Sequence, residues 1–200
     1  NSWSNANNWS PSGTPGANDT INIYSGKPDL ELDQDRTVNR IVHTGSTINL
    51  DTNELYVTQR STFNGGNILG ETLKLRGTLV YFQGTDFDCT LDVIVGQIKF
   101  SGGTFDKPGS FEHNGGASGW GEGGCVFNDT VTIKNTGATY LRMGQNTGDV
   151  FNADVTFISA GVYTMQLAYG DTSTYNGNVY INCTGNGGLS FCAGTGAAAL

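Results

Sequence analysis

Three acidic residues in one short stretch are the best catalytic candidates in the sequence. In TDFDCTLD, Asp86 and Asp88 are two positions apart, so both side chains project from the same side of a β-strand. Two neighbouring carboxyl groups can cleave a glycosidic bond, one as the acid and the other as base or nucleophile, and Asp92 is close enough to join them. However, no Arg or Lys follows before Lys99, and Asp88 also fits a repeated Asn position described below. The sequence therefore predicts no catalytic residue.

Candidate metal ligands are equally sparse. Asp33 and Asp35 in ELDQDRT are paired carboxylates of the kind that bind calcium, but the repeat GGxGxDxUx is absent, which favours a solvated turn. His43 and His113 have no matched partners in the sequence and are predicted to lie at the surface. Neither a nucleophile elbow (GxSxG) nor a phosphate loop (GxxxxGK) occurs. We therefore expect no metal and no cofactor.

The cysteines are compatible with two different roles. None lies in a CxxC pair, and both histidines are far from them in sequence, so a zinc site is not predicted. Disulfides would suit an exported protein, whereas free cysteines are usually buried, and the sequence leaves both roles and all three pairings open. The four residues are Cys89, Cys125, Cys183 and Cys192.

Composition excludes several classes of protein. The chain has 30 Gly among 200 residues, only 14% charged residues and a net charge of −8, with its ten Lys and Arg scattered rather than clustered. Such a sequence is not expected to bind nucleic acid, which requires a basic stripe. No apolar run reaches the roughly 20 residues of a transmembrane helix, so no membrane span is predicted. Gly, Asn, Thr and aromatic residues are typical of turns and strands.

A regular internal repeat indicates how the chain is organised. FNDTVTI at Phe127 recurs as FNADVTF at Phe151 and as YNGNVYI at Tyr175, which is a 24-residue repeat. Apolar and polar residues alternate within each unit, which is typical of a β-strand. Further columns agree at the same offset, namely Gly137, Gly161 and Gly185; Leu141, Met165 and Leu189; and Met143, Leu167 and Phe191.

Short strands in a repeat of this length predict a solenoid, because the blade of a propeller needs about 40 residues. The predicted fold is all-β, a single-stranded parallel β-helix with coils of about 24 residues and an N-terminal cap. Stacked coils place equivalent residues about 4.8 Å apart. Each column of the repeat therefore becomes a ladder along the axis.

The domain boundaries follow from where the repeat holds. Residues 1–62 match it poorly and are predicted to form the cap and irregular first coils, whereas residues 63–200 form the regular coils. Phe63 and Phe87 are separated by one repeat, but the interval from Phe87 to Phe127 is longer, which predicts an insertion near 103–124. The last coil ends on LSFCAGTGAAAL without a polar cap, so we expect further coils or a partner at the C-terminal edge of a fragment of a longer chain.

Two columns have a predicted structural role. The aromatic residues at Phe63, Phe87, Phe127 and Phe151 are predicted to form the core. The residues that follow them are predicted to form an amide ladder, with solvent-facing turn asparagines as the alternative interpretation. That ladder would contain Asn64, Asp88, Asn128, Asn152 and Asn176.

The opening stretch, NSWSNANNWSPSGTPGANDTINI, resembles the start of β-solenoid regions in many exported bacterial surface proteins. Such proteins are common among the Bacteroidetes proteins exported by the type IX secretion system and among autotransporter-like adhesins. Physically, two Trp residues could seal the open end of the first coil. The matching residues are Trp3, Ser4, Asn8, Trp9, Ser10, Pro15, Asp19, Ile21 and Ile23.

This resemblance implies a secreted or cell-surface protein. In the Bacteroidetes family, O-glycosylation favours Asp-Thr before an apolar residue, and the resemblance therefore makes Thr20 in DTI and Thr130 in DTV candidate glycosylation sites. The leading functional interpretation is a non-catalytic adhesin or stalk module. Its partners would be surface glycans or other cell-surface proteins. A Gly-rich loop carrying Trp120 is predicted to protrude and to be the binding element, with a flexible insertion that has no binding role as the alternative interpretation.

Two alternatives remain open at this stage. The first is a carbohydrate-active β-helix enzyme, a lyase or a glycosidase, that uses Asp86, Asp88 or Asp92. The second is a glycan-binding module without catalysis. Reaction products on polysaccharides would distinguish the enzyme from both binding proteins.

Overall fold

The chain consists almost entirely of short strands, and a computed structural model describes residues 1–199. One turn of 3-10 helix, Ala6–Asn8, precedes the strands. Within the described residues, no helix has the length and apolarity that spanning a bilayer requires. In chain order the strands are β1 Thr20–Tyr24, β2 Leu30–Glu31, β3 Arg36–Thr44, β4 Thr47–Asn49, β5 Glu54–Asn64, β6 Asn67–Gly77, β7 Leu79–Gln83, β8 Asp86–Val95, β9 Ile98–Phe105, β10 Gly109–His113, β11 Gly123–Phe127, β12 Val131–Asn135, β13 Leu141–Arg142, β14 Val150–Phe151, β15 Val155–Ser159, β16 Met165–Leu167, β17 Ser173–Tyr175, β18 Val179–Cys183, β19 Leu189–Phe191 and β20 Ala198–Ala199.

The strands form a parallel β-solenoid of about nine coils, which confirms the predicted fold class. Successive coils contribute to three parallel faces, and the longest strands bend from one face to the next. Face 1 contains β1, the second halves of β3 and β5, β7, the start of β9, residues 119–120, β13, β16 and β19. Face 2 contains β2, β4, the first halves of β6 and β8, the end of β9, β11, β14, β17 and β20. Face 3 contains the first halves of β3 and β5, the second halves of β6 and β8, β10, β12, β15 and β18.

The core is a set of side-chain columns along the axis. Alternate residues of each strand point inward, as in β12, where Val131, Ile133 and Asn135 are buried. On face 2 the rings of Phe87, Phe105, Phe127, Phe151 and Tyr175 stack nearly parallel, with centroids 5.3, 4.7, 4.8 and 5.0 Å apart. Aromatic residues in neighbouring coils therefore cover one another's apolar surface, which one coil alone could not do.

The coil length is not constant. Phe127 pairs with Phe151 and Phe151 with Tyr175, so the last coils keep the predicted 24-residue spacing. Earlier coils are shorter, because Phe63 pairs with Phe82 and Phe87 pairs with Phe105. The equal offset between Phe63 and Phe87 was therefore a coincidence of two different columns, whose rings meet edge to face at 5.3 Å.

The stretch 103–124 forms part of the solenoid and not an insertion. Here β10 pairs with β8 below and β12 above, and β11 pairs with β9 and β14. Phe105 also belongs to the aromatic column, although it does not fit the 24-residue repeat. Because Phe105 pairs with both Phe87 and Phe127, two coils that are each shorter than the repeat fill the interval between those residues.

Residues 20–62 likewise form regular coils and no separate capping sheet, since β1, β3 and β5 continue the ladder of face 1. The cap is confined to the residues before β1. Trp3 is fully buried there and meets Trp9 edge to face at 5.0 Å, while the Trp9 indole donates to the Trp3 carbonyl at 2.8 Å. Asp19 accepts from the Gly16 backbone at 2.8 Å and so shapes the turn into β1.

Candidate functional site

The three candidate catalytic carboxylates do not converge. Asp86 and Asp88 lie on face 2, whereas Asp92 lies on face 3, because β8 bends between them. Asp88 is 3.2 Å from the Lys107 amine, and Asp92 is 2.6 Å from the Arg76 guanidinium. Both carboxylates are therefore engaged in ion pairs on different faces, an arrangement unlike the facing acid and base of a glycosidase.

The acidic pair near the N-terminus has a structural role. Asp33 accepts hydrogen bonds from Ser2, from the Ser4 backbone and from Arg36, and these contacts hold the pKa of its carboxyl well below its usual range. Asp35 accepts from the Glu54 backbone at 2.8 Å. Throughout residues 1–199, no three His, Cys, Asp or Glu side chains are grouped so that they could hold a metal ion.

The amide ladder contains three of its five predicted members. Asn152 donates to the Asn128 side chain at 2.7 Å, and Asn176 donates to Asn152 at 2.8 Å. The ladder continues downward to Asp106, which accepts from Asn128 at 2.6 Å. Asp88 lies in the same column below Asp106, because Phe87 pairs with Phe105, but its carboxylate is paired with the Lys107 amine and does not extend the hydrogen-bonded ladder. Asn64 lies outside the column, because it pairs with Gln83 on face 1. Asn64 was assigned to this column wrongly, because the coils in that part of the chain are shorter than 24 residues.

Both histidines are buried, so the prediction that they lie at the surface is wrong. His43 occupies the inward column of face 1 below Phe63, and His113 the inward end of β10. Burial lowers the pKa of His43 and lowers that of His113 to about 4. Their inward position follows from strand alternation once the coil register is known.

A buried carboxyl group, Asp149, was missed by sequence reasoning. It lies between β11 and β17, accepts from the Cys125 backbone at 3.0 Å, and leaves one carboxyl oxygen without a hydrogen bond. Burial raises the pKa of Asp149 to about 7. The neighbouring Ser173 hydroxyl accepts from the Asp149 backbone, and the whole of Asp149 is shielded from solvent. Asp149 is therefore inaccessible to a ligand from solvent, and its protonation state affects the stability of the fold.

The four cysteines are free thiols. Cys89 and Cys125 are buried in the core, Cys192 is half-buried, and Cys183 is exposed at the end of β18. Burial raises the pKa of Cys125 well above its usual value, and that of Cys89 to about 12. The two inner thiols are therefore inert core residues.

Trp120 lies on face 1 and does not protrude. Its backbone donates to the Ile98 carbonyl at 3.1 Å, and the adjacent Gly119 bridges to Leu141 in the coil above. The ring is half-buried, and the Lys99 amine lies 4.4 Å from its centroid. The aromatic residue predicted to bind a partner thus lies against face 1, next to the isolated bridge at Gly119, and not in a protruding loop.

Trp120 belongs to an outward column in which rings and cations alternate. Tyr81 pairs with Lys99, Trp120 follows in the next coil, and the bridge from Gly119 to Leu141 then places Arg142 beside Trp120. The Arg142 guanidinium lies 5.1 Å from the Tyr140 ring and 4.6 Å from the Tyr169 ring. The sequence could not identify this column, because its members are separated by unequal intervals.

Face 1 is free of acidic residues, although the protein is strongly acidic. Its strand segments read TINIY, RIVHT, RSTFN, LVYFQ, IKF, GW, LR, MQL and LSF, without one Asp or Glu. On face 3, by contrast, the amines of Lys74 and Lys134 lie 2.5 and 3.1 Å from Glu54 and Glu112. Among the ion pairs of residues 1–199, none involves the cations of face 1, which are Arg40, Arg60, Lys99 and Arg142.

The two candidate glycosylation sites are exposed. Thr20 lies on face 1 opposite Arg40, and Thr130 precedes β12, where its hydroxyl is 3.3 Å from the Asp129 carboxylate. Both hydroxyl groups are thus accessible to a modifying enzyme.

Comparison with known proteins assigns the chain to no family. No protein-family model, no curated protein and no solved structure matches this chain.

Proposed function

We propose that the protein is a non-catalytic, secreted or cell-surface β-solenoid that acts as an adhesive module and binds glycans through face 1. The observation that carries this proposal is the outward column on that face, in which Trp120 is flanked by Lys99 and Arg142. Aromatic rings offer the apolar surface on which sugar rings pack, and the neighbouring cations and amides offer hydrogen-bond donors.

The shape of face 1 supports a polymer as the ligand. Nine stacked coils at about 4.8 Å each give a surface about 40 Å long. Tyr81 and Trp120 lie at its centre, and Tyr163, which is 45% exposed and 5.1 Å from Tyr140, lies at its border in the turn that leads into β16. A single sugar would cover only a small part of this surface, whereas a chain of sugars could contact several coils at once.

The carboxylate geometry favours binding over catalysis. Asp88 and Asp92 are held by Lys107 and Arg76 on two different faces, and neither faces the aromatic column. The proposed location outside the cell rests on the opening motif with Trp3 and Trp9. If this motif directs export through a Bacteroidetes-type pathway, Thr20 and Thr130 are the expected glycosylation sites, and the intact mass of the protein from its host would show the added sugar.

A glycan array is the direct test of the proposal. The Trp120→Ala variant should lose at least ten-fold in affinity for any glycan that the wild-type protein retains, and Trp120→Phe should lose less because it keeps a ring. Tyr180→Ala is the matched control, since Tyr180 is an exposed aromatic residue on face 3. Circular dichroism and the melting temperature verify that each variant is folded.

Three results would contradict the proposal. The first is a wild-type protein that retains no glycan on the array. The second is equal loss of binding in Trp120→Ala and Tyr180→Ala. The third is the release of reducing ends or unsaturated sugars from a polysaccharide incubated with the protein, which would instead support an enzyme that uses Asp86, Asp88 or Asp92.

A further inference from the structure

Positive and negative charges are distributed unevenly over the faces of the solenoid. The net charge is −8, yet face 1 contains four cations and no carboxylate in its strands. From this asymmetry we infer that the ligand of face 1 is an acidic polysaccharide, a chain of sugars bearing uronate groups, which lies along the solenoid axis. This inference rests on the proposed glycan-binding function and specifies its ligand.

Each cation outside face 1 that belongs to a strand is already neutralised. Lys74, Arg76 and Lys134 on face 3 form ion pairs with Glu54, Asp92 and Glu112. A paired cation gains little from a further anion, because its carboxylate partner already occupies its donors. The unpaired cations of face 1 therefore supply the complementary charge for an anionic ligand.

The spacing of these cations fits a sparsely charged polymer. Lys99 and Arg142 are two coils apart in the same column, which corresponds to about 10 Å along the axis. This distance is comparable to the repeat of two sugar units in an extended polysaccharide. Trp120 lies between the two cations, so a sugar ring could pack on the indole while carboxylates on either side reach the amine and the guanidinium.

Both central cations are held in place before any ligand binds. The Arg142 guanidinium packs against the rings of Tyr140 and Tyr169, and its Nε donates to the Gln166 side chain at 2.6 Å. Lys99 is positioned over Trp120 at 4.4 Å and reaches within 5.8 Å of the Tyr81 ring. Because cation–π contacts leave donors free, both groups remain able to bind carboxylates with little loss of side-chain entropy.

The charge balance favours an acidic polysaccharide over a nucleic acid. A nucleic acid carries a phosphate at every nucleotide, and its affinity depends on neutralising many of them. Face 1 offers only four cations, and Asp and Glu residues line the neighbouring faces of a protein with net charge −8. A polymer with widely spaced carboxylates meets the cations and experiences less repulsion from the rest of the surface.

The test compares two forms of one polymer, measured by isothermal titration calorimetry or biolayer interferometry. Hyaluronan, which carries one carboxylate per two sugar units, is the acidic probe, and the same polymer after chemical reduction of its carboxyl groups is the neutral probe. The wild-type protein should bind the acidic form at least ten-fold more tightly. That preference should vanish at about 1 M NaCl, where the Debye length is about 3 Å. Alginate and a single-stranded oligonucleotide serve as further probes.

Two double variants locate the effect. Lys99→Gln/Arg142→Gln should abolish the preference for the acidic form, so that the variant binds the two forms of the polymer with equal affinity. Lys74→Gln/Lys134→Gln removes the same number of charges from face 3 and should leave the preference intact. The comparison of the two polymer forms on the wild-type protein requires no variant, so the inference remains testable even if a variant fails to fold.

The outcomes separate the inference from the proposed function. Equal affinity for the two polymer forms overturns the acidic ligand but leaves glycan binding in place. Tighter binding of the oligonucleotide than of hyaluronan or alginate also overturns it, as does equal loss of binding in both double variants. If the wild-type protein binds none of the polysaccharides here and no glycan on the array, the proposed function itself fails.

Discussion

Asp149 couples the stability of the protein to pH. Burial raises its pKa from 3.8 to about 7, so the folded state retains a proton that the unfolded state has released between these values. The groups around it are the Gly144 backbone, Cys125 on β11, and Ser173 and Tyr175 on β17, and none of them is a cation that would stabilise the charged form. The contribution of Asp149 to stability is therefore fully present below about pH 4 and is lost as the pH rises through about 7.

The first prediction concerns Asp149→Asn. This neutral isostere should remove the contribution of Asp149 to the pH dependence of stability. Between pH 4 and pH 8, the free energy of unfolding of the variant should therefore rise relative to that of the wild-type protein by on the order of a few kcal/mol. Urea denaturation at several pH values measures the difference. Buried His43 and His113 act in the opposite direction, because their pKa values are lowered and their contribution is lost as the pH falls below 6.5. They are unchanged in the variant, so parallel curves for the two proteins would contradict the role of Asp149.

The amide ladder leads to the second prediction. Asn152 donates to Asn128 and accepts from Asn176, at 2.7 and 2.8 Å, so Asn152→Ala removes two hydrogen bonds between coils. Each hydrogen bond contributes about 1 kcal/mol net to stability, so losing both should lower the free energy of unfolding by about 1–2 kcal/mol. Because the ladder is exposed to solvent, we expect a value near the lower end of this range. Asn114→Ala is the control, since this exposed Asn has no side-chain hydrogen bond within residues 1–199. Equal free energies of unfolding for the two variants would show that the ladder has no stabilising role.

At the scale of the coil, the glycine column explains why three turns can stack closely. A Cβ atom at Gly161 would lie 2.4 Å from the Gly137 carbonyl oxygen of the coil below, and one at Gly185 would lie 2.3 Å from that of Gly161. Such distances are far inside van der Waals contact, so any side chain would force two coils apart. The repeated Gly in the sequence therefore reports a close approach of backbones, not a need for an unusual backbone conformation.

The third prediction follows from this close approach. Gly161→Ala should destabilise the protein by about 1–3 kcal/mol, the usual range for overpacking. Gly116→Ala is the matched control, because nothing lies within 4 Å of a Cβ at that position. Thermal unfolding of the two variants provides the comparison. A melting temperature for Gly161→Ala equal to that of Gly116→Ala would mean that the coils separate at little cost.

Unequal coils also explain what could and could not be predicted from the sequence. Phe127, Phe151 and Tyr175 are equally spaced, so their stacking was predictable, as was a parallel solenoid. Phe105 was not found, because the coils on either side of it are shorter than the repeat and differ from each other in length. For the same reason, unequal intervals in the sequence separate Trp120 from the residues that are its neighbours in the outward column. A binding face built across coils is visible only once every register is known, since no local motif links its members.

At the scale of the whole molecule, burial decreases along the axis toward the last coils. Phe157 on β15 is fully buried, whereas Ile181, which occupies the same inward column one coil later on β18, is 52% exposed. In a solenoid each coil contacts only its neighbours, so its stability depends on what covers it on either side. Within residues 1–199, β18 pairs with β15 and with no other strand.

The fourth prediction compares these two residues of one column in this 200-residue chain. Phe157→Ala should cost about 3–5 kcal/mol, because it leaves a cavity among buried rings, and Ile181→Ala should cost less than about 1 kcal/mol, because half of its side chain already contacts water. Hydrogen exchange gives an independent measurement, since the β18 amides should exchange faster than those of β15. Similar losses in the free energy of unfolding for both variants, together with equal exchange rates, would contradict this prediction. They would mean that the stability of a coil does not depend on how completely neighbouring coils pack against it.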